Sequence, residues 1–501
     1  MGDFNVAYRL SKMVEEKIKI FHKSFPLFLY IGMLLTFGLS FYNFKSSFDE
    51  GMYLLQAQLI CNNKIPYQDF TTHILPIYIK FLSLFCSKGS VINFFHYRVI
   101  SFFITTLSSV LIFFIAKKFY TPFTSIIAAL LFQFSTISYP LYLTTPTSIM
   151  MLLALLSLYL QWFFNSYRTT VISAISMGFA FMIKPYVVPL IIANFLSLIF
   201  FRRDLRKIFL YSVVMFLSVL SVMLYWHISS DGISTKTIIY HLTHYSKHQL
   251  FLNLQKIKSY QEFFLQNNIK TPFSFAWYAH YEYFFSRNIY NSAFWTLLVS
   301  LFGLVLSFYK SGLPSFFSSF LALNFILNLL FFLFIFQYVR DNSFVNYLPS
   351  FSLLSAHVMD MILKKTSTHL NTIFKVGIML LVLFFLNFSF KQIKQGSTYF
   401  FQIERLNLSQ RKVLTFDPVA AVIAKAEIAC NFIDEGQYQA IFPKTEIKEI
   451  KKLLITSDQL ISCLQRDEKI IVLIDSVFYS MADEKLKDFV FSLDKSRIMF
   501  L

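Results

Sequence analysis

Long apolar stretches separated by short polar segments make up most of this chain. They recur as far as position 390, and runs of about 17 to 25 apolar residues are long enough to cross a bilayer as α-helices. The period-2 alternation of a membrane β-barrel is missing, so helices are expected. The pattern predicts about eleven spans: about 25–42, 98–116, 122–139, 147–164, two within 171–201, 208–227, 292–308, 315–338, 344–362 and 371–389.

One apolar tract, from Val171 to Phe201, is interrupted by Lys184-Pro185. A helix of about thirty residues would be about 45 Å long, which exceeds one span, and proline disrupts a helix interior. The interruption therefore predicts two shortened spans that meet at an outer turn. Lys184 in such a turn either binds a lipid phosphate as a point charge or extends its ammonium to the membrane surface.

Composition agrees with a polytopic membrane protein. Of the 501 residues, 56% are hydrophobic and only 14% are charged, which departs far from soluble proteins. The net charge of +18 does not indicate nucleic-acid binding, because the basic residues cluster in alternate loops, as the positive-inside rule describes for cytoplasmic loops. These clusters are the N-terminus, Lys117-Lys118, Arg168, Arg202-Arg203, Arg206-Lys207, Lys310 and Lys364-Lys365.

The charge pattern divides the chain into three predicted parts. Residues 1–24 form a cytoplasmic amphipathic N-terminus, and the apolar run from Phe25 is expected to be retained because no small-residue cleavage site follows it. Residues 25–390 form the transmembrane domain, with outer loops at 43–93 and 228–290. In the first loop, the short apolar segment 74–85 is expected to form a helix in the interface.

Residues 391–501 have the composition of a soluble domain outside the membrane. Strand-like and helix-like runs alternate here, which predicts a small α/β domain. The predicted strands are 412–416, 438–442 and 470–474, and the predicted helices are 419–432, 445–454 and 483–489. The four cysteines show no metal-type spacing. Cys430 and Cys463 lie in this domain and are candidates for a disulfide, although their spacing alone does not decide the pairing.

The first outer loop concentrates polar side chains next to the membrane. They are Asp49, Glu50, Tyr53, Tyr67, Asp69 and His73. A carboxylate at Asp49 can act as general base for a hydroxyl acceptor or help hold a divalent cation. The alternative is a helix cap, because Ser47, Asp49 and Glu50 precede a helix-like run from Met52.

Other polar groups leave similar alternatives. His73 lies four residues after Asp69 and is either a metal ligand or a hydrogen-bond partner of nearby carboxylates. Arg340-Asp341 precedes the run Asn346-Tyr347-Leu348-Pro349 and forms another outer polar group. The sequence indicates no certain cofactor. The membrane half contains no phosphate-cradling glycine loop, which disfavours a soluble nucleotide-sugar donor.

These motifs together resemble the C-type membrane glycosyltransferase (GT-C) superfamily. The first is Asp49-Glu50-Gly51-x-Tyr53, followed by Ile65-Pro66-Tyr67-x-Asp69-Phe70 and Pro76. Lys184-Pro185 resembles the lysine-containing turn of the family, and Asn346-Tyr347-Leu348-Pro349 resembles its late Tyr-Leu-Pro motif, with Asn346 at an often basic position. The most similar branch contains protein O-mannosyltransferases and the lipid A aminoarabinose transferase.

The resemblance implies an α-helical polytopic membrane protein with a small C-terminal α/β extracytoplasmic domain. It implies an enzyme that moves a sugar from a polyprenyl-phosphate carrier to a lipid, glycan or protein acceptor on the outer face of a bacterial inner membrane, typically with inversion. By motif position, Asp49 would be the base and Glu50 its support. Lys184 and Arg340 would neutralise the carrier phosphate, and Tyr53, Tyr67, Asp69, His73 and Tyr347 would shape the sugar and acceptor site.

Two other functions fit a chain with many spans. A transporter or flippase for lipid-linked saccharides would also need basic outer grooves, but transporters tend to show internal repeats and polar residues at the membrane midplane. Here the polar groups concentrate in outer loops. A non-catalytic scaffold would leave the boundary carboxylates and Lys184 without an explanation.

Overall fold

A computed structural model gives the architecture of most of the chain. It describes residues 48–70, 72, 75–86, 94–138, 144–202, 204–240, 258–281, 298, 300–305, 315–336, 346–365, 403, 405–409, 411–430, 432, 455–475, 478–479 and 482–500. The N-terminal segment, the predicted spans at 25–42 and 371–389, the predicted strand 438–442 and the predicted helix 445–454 lie outside these residues. Arg340 and His73 lie outside them as well.

Helices dominate the part of the chain before residue 366. In chain order they are α1 (Phe48–Cys61), α2 (Ile77–Ser83), α3 (Phe94–Lys117), α4 (Pro122–Ser138), α5 (Pro146–Phe163), α6 (Tyr167–Ile183), α7 (Val188–Ser197), α8 (Leu205–Ser229), α9 (Ile233–Tyr240), α10 (Lys258–Gln266), α11 (Pro272–Tyr281), α12 (Ser315–Leu330) and α13 (Leu348–Lys365). Wider π-type turns extend α7 through Leu198–Arg202 and α12 through Phe331–Phe336.

The membrane helices follow the predicted spans closely. Within the described residues, α3, α5 and α8 are long and apolar enough to cross a membrane, and α4, α6, α7 and α12 are shorter apolar helices. α8 is mostly exposed along its length, and its outward side chains include Phe209, Phe216 and Leu224. Apolar side chains exposed on so long a helix fit a surface that faces lipid.

The structure interrupts the helical tract at Lys184-Pro185, as the sequence predicts. α6 ends at Ile183, Lys184 is extended with φ −155°, and a single 3₁₀ turn over Pro185–Val187 leads into α7. The backbone N–H of Lys184 still bonds the carbonyl of Ala180, so the first helix ends cleanly before the proline. The tract thus forms two shortened helices joined by a turn, as the sequence predicts.

The described residues of the segment 43–93, predicted as the first outer loop, pack onto the helix bundle. α1 and α2 pack together, and a disulfide joins Cys61 at the end of α1 to Cys86 after α2. α2 lies where the interfacial helix is expected, and it buries Tyr78 against the protein. Leu75 packs with Met182 of α6 and Trp226 of α8. Sequence spacing gave no indication of the Cys61–Cys86 disulfide.

Within the described residues, the C-terminal part contains a parallel sheet of four strands. They are β1 (Lys412–Leu414), β2 (Glu427–Ile428), β3 (Ile471–Ile474) and β4 (Ile498–Phe500), in the order β2-β1-β3-β4. The helices α14 (Pro418–Ile423), α15 (Ser457–Arg466) and α16 (Glu484–Phe491) connect or flank them. Alternate strand residues point into two cores, one with α14 and one with α15 and α16. A second disulfide joins Cys430 to Cys463.

The predicted helix over 419–432 is wrong in its second half. α14 ends at Ile423, Lys425 adopts a positive φ of 52°, and β2 follows. The N–H of Glu427 bonds the carbonyl of Arg411, and the N–H of Ala429 bonds that of Val413. Pairing with β1 therefore replaced the helix that local propensity favoured. The sequence analysis also missed α15, whose capping box of Thr456 and Gln459 is visible in the sequence.

Candidate active site

The two carboxylates of the first motif lie in the first turn of α1. Both carboxylates belong to the first turn of the helix, where acids are favoured, and Ser47 lies outside the described residues. Successive helical residues point about 100° apart, which separates the two side chains. Asp49 is half-buried, whereas Glu50 is completely buried.

Arg98 of α3 neutralises the buried Glu50. Its Nε donates to Oε1 at 3.1 Å and its Nη2 donates to Oε2 at 2.9 Å, so the guanidinium binds the carboxylate in two places. The Arg98 side chain is itself only 2% exposed, and its guanidinium lies 4.3 Å from the ring centroid of Phe94. Planar two-point pairing of this kind suits arginine and not lysine. Glu50 is therefore a fixed anchor of α1.

The turn before α5 gives Glu50 a third partner. The backbone N–H of Thr144 donates to Glu50 Oε1 at 3.0 Å. Three residues later, the Thr147 hydroxyl accepts a 2.9 Å hydrogen bond from the Lys184 ammonium. The segment 144–147, which is the turn before α5 and the first two residues of α5, thus contacts both the carboxylate helix and the lysine of the broken tract. It brings together two groups that the sequence analysis had predicted separately.

Lys184 and the Asn346-Tyr347 motif are also neighbours. Lys184 is half-buried, and its ammonium lies 4.7 Å from the ring centroid of Tyr186. The Asn346 amide donates to the carbonyl of Tyr186 at 2.7 Å. Asn346 therefore supports the Lys184 turn through a hydrogen bond. Tyr347 is buried and packs edge-on against Phe325.

Tyr53 lies one helical turn after Glu50 and is buried. Its ring packs edge-on against Tyr78 of α2, with centroids 5.5 Å apart. Burial, with the nearby charge of Glu50, raises the pKa of Tyr78 well above its ordinary value, so its hydroxyl stays protonated. Tyr53 therefore contributes packing at the junction of α1 and α2.

Tyr67 and Asp69 belong to a tight turn after α1. Tyr67 is buried with a positive φ of 66°, and burial raises the pKa of its hydroxyl. Asp69 is exposed and closes the turn, because its Oδ2 accepts the N–H of Ile65 at 2.7 Å. The neighbouring Gln68 amide donates to the carbonyl of Ser229 at the end of α8. Both predicted site residues thus shape the loop that contacts the end of α8.

The described residues offer little for a metal. No group of three or more His, Cys, Asp or Glu side chains among them is placed to hold an ion. A cavity of about 400 Å³ does occur in this part of the chain, but it lies at the opposite end of α5 and α6. Its lining includes Trp162, Asn165 and Lys207. The cavity is therefore separate from the carboxylates and Lys184.

Sequence reasoning missed the residues that tie the site together. Arg98 lies 48 positions after Glu50 and was treated only as the start of a span. One signal was available. Arg98 lies at the end of an apolar helix that the charge pattern predicts outside, whereas most basic residues cluster in loops predicted inside. Thr147 and Asn346 carry no charge, and their contacts could be found only in three dimensions.

Comparison with known proteins identifies the architecture. Residues 76–226 match the family model described as dolichyl-phosphate-mannose-protein mannosyltransferase. The crystal structure of ArnT from Cupriavidus metallidurans bound to undecaprenyl phosphate superimposes with a TM-score of 0.58, at 10% sequence identity, over 93% of this chain and 94% of that one. The chain has the same fold as ArnT. No curated protein matches the sequence significantly.

The family match covers the elements that build the site. It begins at Pro76, just before α2, and includes Arg98, the segment 144–147 and Lys184. The carboxylate helix α1 lies outside the matched range and is joined to it by the Glu50–Arg98 ion pair. The structural match extends to the C-terminal sheet, since it covers nearly the whole of both chains.

Proposed function

We propose that this protein is an integral membrane glycosyltransferase that moves a sugar from a polyprenyl-phosphate carrier to a lipid, glycan or protein acceptor. One observation carries the proposal: the carboxylate helix and Lys184 are held by the same segment 144–147, Glu50 through Thr144 and Lys184 through Thr147. A base and a cation at one membrane boundary are what transfer from an anionic lipid carrier requires.

The comparisons support the donor class. The matching family model is named for a mannosyltransferase that uses a dolichyl-phosphate sugar, and the ArnT structure was solved with undecaprenyl phosphate. Both carriers are polyprenyl phosphates. The same chemistry fits a chain whose proposed reactive groups lie at the ends of apolar helices.

In the proposed reaction, Asp49 accepts the proton of the acceptor hydroxyl as its oxygen forms a bond to the anomeric carbon. The bond from that carbon to the phosphate oxygen breaks, and the carrier phosphate leaves with the electron pair. Attack opposite the leaving phosphate inverts the anomeric carbon. Lys184 supplies positive charge for the phosphate as its negative charge increases. Glu50 acts indirectly, because its pairing with Arg98 fixes the turn that carries Asp49.

The remaining assignments are part of the same proposal. Arg340 would add a second positive charge, and His73, Tyr53, Tyr67, Asp69 and Tyr347 would border the sugar and acceptor. The bacterial inner membrane is the proposed location, with about eleven spans, a cytoplasmic N-terminus and the C-terminal domain outside. The two disulfides support this orientation, because both occur in segments predicted outside and disulfides persist in oxidising compartments.

The first test is mass spectrometry of envelope lipids and glycans from cells that lack this protein. The wild-type chain should restore a missing sugar, whereas Asp49→Asn, which keeps the shape but cannot accept the proton, should lower transfer at least about 10²-fold at unchanged membrane abundance. Asp231→Asn is the matched control, because Asp231 is exposed, is assigned to no part of the site and has a φ of 48° that asparagine also tolerates. Full restoration by Asp49→Asn would exclude Asp49 as the base and favour a transporter of lipid-linked saccharides.

A further inference from the structure

The C-terminal sheet domain contacts the carboxylate helix at Gly51. A Cβ atom at this position would lie 2.6 Å from the carbonyl carbon of Pro418 and 2.7 Å from the Cα of Val419, and it would also overlap the Val419 nitrogen. These are backbone atoms of α14, so no side-chain rotation could relieve the overlap. Only glycine lets α14 approach α1 this closely.

The contact continues into a buried apolar interface. Ala421 and Val422 of α14 belong to the same buried core as Met52 and Tyr53 of α1. Conversely, a residue of the helical part, Phe95 of α3, packs against the core formed by α14 and the sheet. The two parts of the chain therefore share cores on both sides of the contact, and the domain is docked on the helices that carry Glu50 and Arg98.

The sheet holds α14 in a fixed position. β1 lies inside the sheet between β2 and β3, and α14 follows it after only three residues. Asp417 caps α14 by accepting the N–H of Val419 at 2.9 Å, and the Thr415 hydroxyl accepts the N–H of Asp417 at 3.0 Å. The carboxyl end of β1 therefore presents α14 directly to the first turn of α1.

Glycine at position 51 is unfavourable for α1 taken alone, because glycine in a helix is less stable than alanine. Here glycine lets the backbone of α14 pack closely against α1, and this contact offsets the cost. Gly51 is two residues from Asp49 and adjacent to Glu50, so the same turn is held by Arg98 and Thr144 through the Glu50 carboxylate and by α14 through Gly51.

We propose that the C-terminal domain is a positioning element of the active centre, with Gly51 as the positioning residue that lets α14 fix the turn carrying Asp49. This inference rests on the proposed transferase function for its kinetic consequence. Its structural consequence, coupled protection of α14 and α1, does not depend on that function. Displacement of a base by about an ångström can lower a rate by about 10²-fold, so docking would control transfer without any domain residue touching the sugar.

The test compares three full-length variants in lipid nanodiscs and in complemented cells. Gly51→Ala adds the Cβ that overlaps α14, and Val422→Ala removes two methyl groups from the interface and adds no bulk. Gly178→Ala is the matched control, because this helical glycine lies at the α6–α8 contact, 3.0 Å from Ser218 Cβ for an added Cβ, away from α14. Hydrogen exchange, binding of undecaprenyl phosphate and sugar transfer per membrane-inserted protein are measured for each.

In Gly51→Ala we expect faster exchange in both α14 and α1, transfer reduced between about tenfold and about 10²-fold, and undecaprenyl phosphate affinity within twofold of wild type. Val422→Ala should show the same pattern with smaller changes. Gly178→Ala, whose added Cβ would also lie 3.2 Å from the Met215 carbonyl oxygen of α8, should leave hydrogen exchange in α14 and α1 at the wild-type rate. The inference would be overturned if Gly51→Ala left hydrogen exchange in α14 unchanged. It would also be overturned if exchange in α14 and α1 became faster while sugar transfer stayed normal. If wild type transfers no sugar, the proposed function fails, and the exchange data alone decide the docking.

Discussion

At the scale of single residues, the Glu50–Arg98 pair is the most constrained feature of the site. Both side chains are almost completely buried. Arg98 donates to both carboxylate oxygens of Glu50, and the N–H of Thr144 also donates to Oε1. Removing one member of a buried ion pair leaves the other charge uncompensated, which costs about 3–5 kcal/mol. Replacing both members with neutral groups of similar size costs much less.

Arg98→Met should therefore lower the free energy of unfolding by about 3–5 kcal/mol and reduce membrane abundance. The double variant Glu50→Gln/Arg98→Met should recover most of the abundance but little of the transfer activity, because the two-point contact that fixes α1 is still absent. Thermal unfolding in detergent and sugar transfer per folded protein measure the two effects. A single Arg98→Met variant as stable as wild type would show that the pair does not anchor α1.

The sequence alone indicated the carboxylates and Lys184 but not how they are held. Asp49 and Glu50 stand out because they follow an apolar run directly, and Lys184 because it interrupts one. Arg98 stands out only weakly, as a basic residue at the end of a span where the positive-inside pattern predicts few, and Thr147 stands out in no local pattern. Their importance comes from contacts across 48 and 37 positions, which no local periodicity encodes.

At the scale of elements, a carboxylate of α13 holds the start of α4. Asp360 is buried, and its Oδ1 accepts hydrogen bonds from the Thr121 N–H and the Thr124 hydroxyl, both at 3.1 Å. Its Oδ2 pairs with Lys364 at 2.6 Å. Carboxylates stabilise helix N-termini by accepting the N–H groups that lack a partner within the helix. Here that cap comes from a different helix, so it also fastens α13 to α4.

Asp360→Ala should destabilise the protein by about 1–3 kcal/mol, because it leaves the buried donors at the start of α4 without their acceptor. Asp360→Asn is the matched control, because its amide oxygen can still accept the hydrogen bonds of the Thr121 N–H and the Thr124 hydroxyl but carries no charge to pair with Lys364. Thermal unfolding in detergent distinguishes the two. Equal stability losses would mean that the ion pair, and not the cap, joins these helices.

The observed bounds agree with the predicted ones for amphipathic and fully apolar helices. They differ from the predicted ones where strands pair. The breaks before α4 and α5 and at Lys184 match proline positions, because proline ends helices for local steric reasons. β2 was predicted as helix because two residues carry almost no local strand signal. Its hydrogen bonds to β1 exist only once the sheet forms.

At the scale of the whole molecule, the two disulfides and the basic loops agree with the proposed orientation. All four cysteines of the chain belong to the described residues and are paired. Both disulfides lie in segments predicted outside, while Lys364 lies at a loop predicted inside. A membrane-impermeant maleimide applied to intact cells therefore tests the topology against a background without reactive native thiols.

Lys391→Cys should react with the reagent in intact spheroplasts, and Lys364→Cys should react only after the membrane is permeabilised. The unsubstituted chain, with its cysteines paired, should not react in either case and is the control. The physical reason is the positive-inside rule, which retains the basic loops in the cytoplasm. The reverse labelling pattern would overturn the orientation and, with it, the outer-face site.

By itself the sequence determined what local physics controls: which segments are apolar enough for a membrane, where proline and lysine divide a tract, and which carboxylates lie at a membrane boundary. The tertiary structure decided the rest, because burial of a charge or close approach of two backbones depends on residues far apart in the chain. Glu50 became an anchor only when Arg98 faced it. The requirement for glycine at position 51 follows only from the packing of α14 against it.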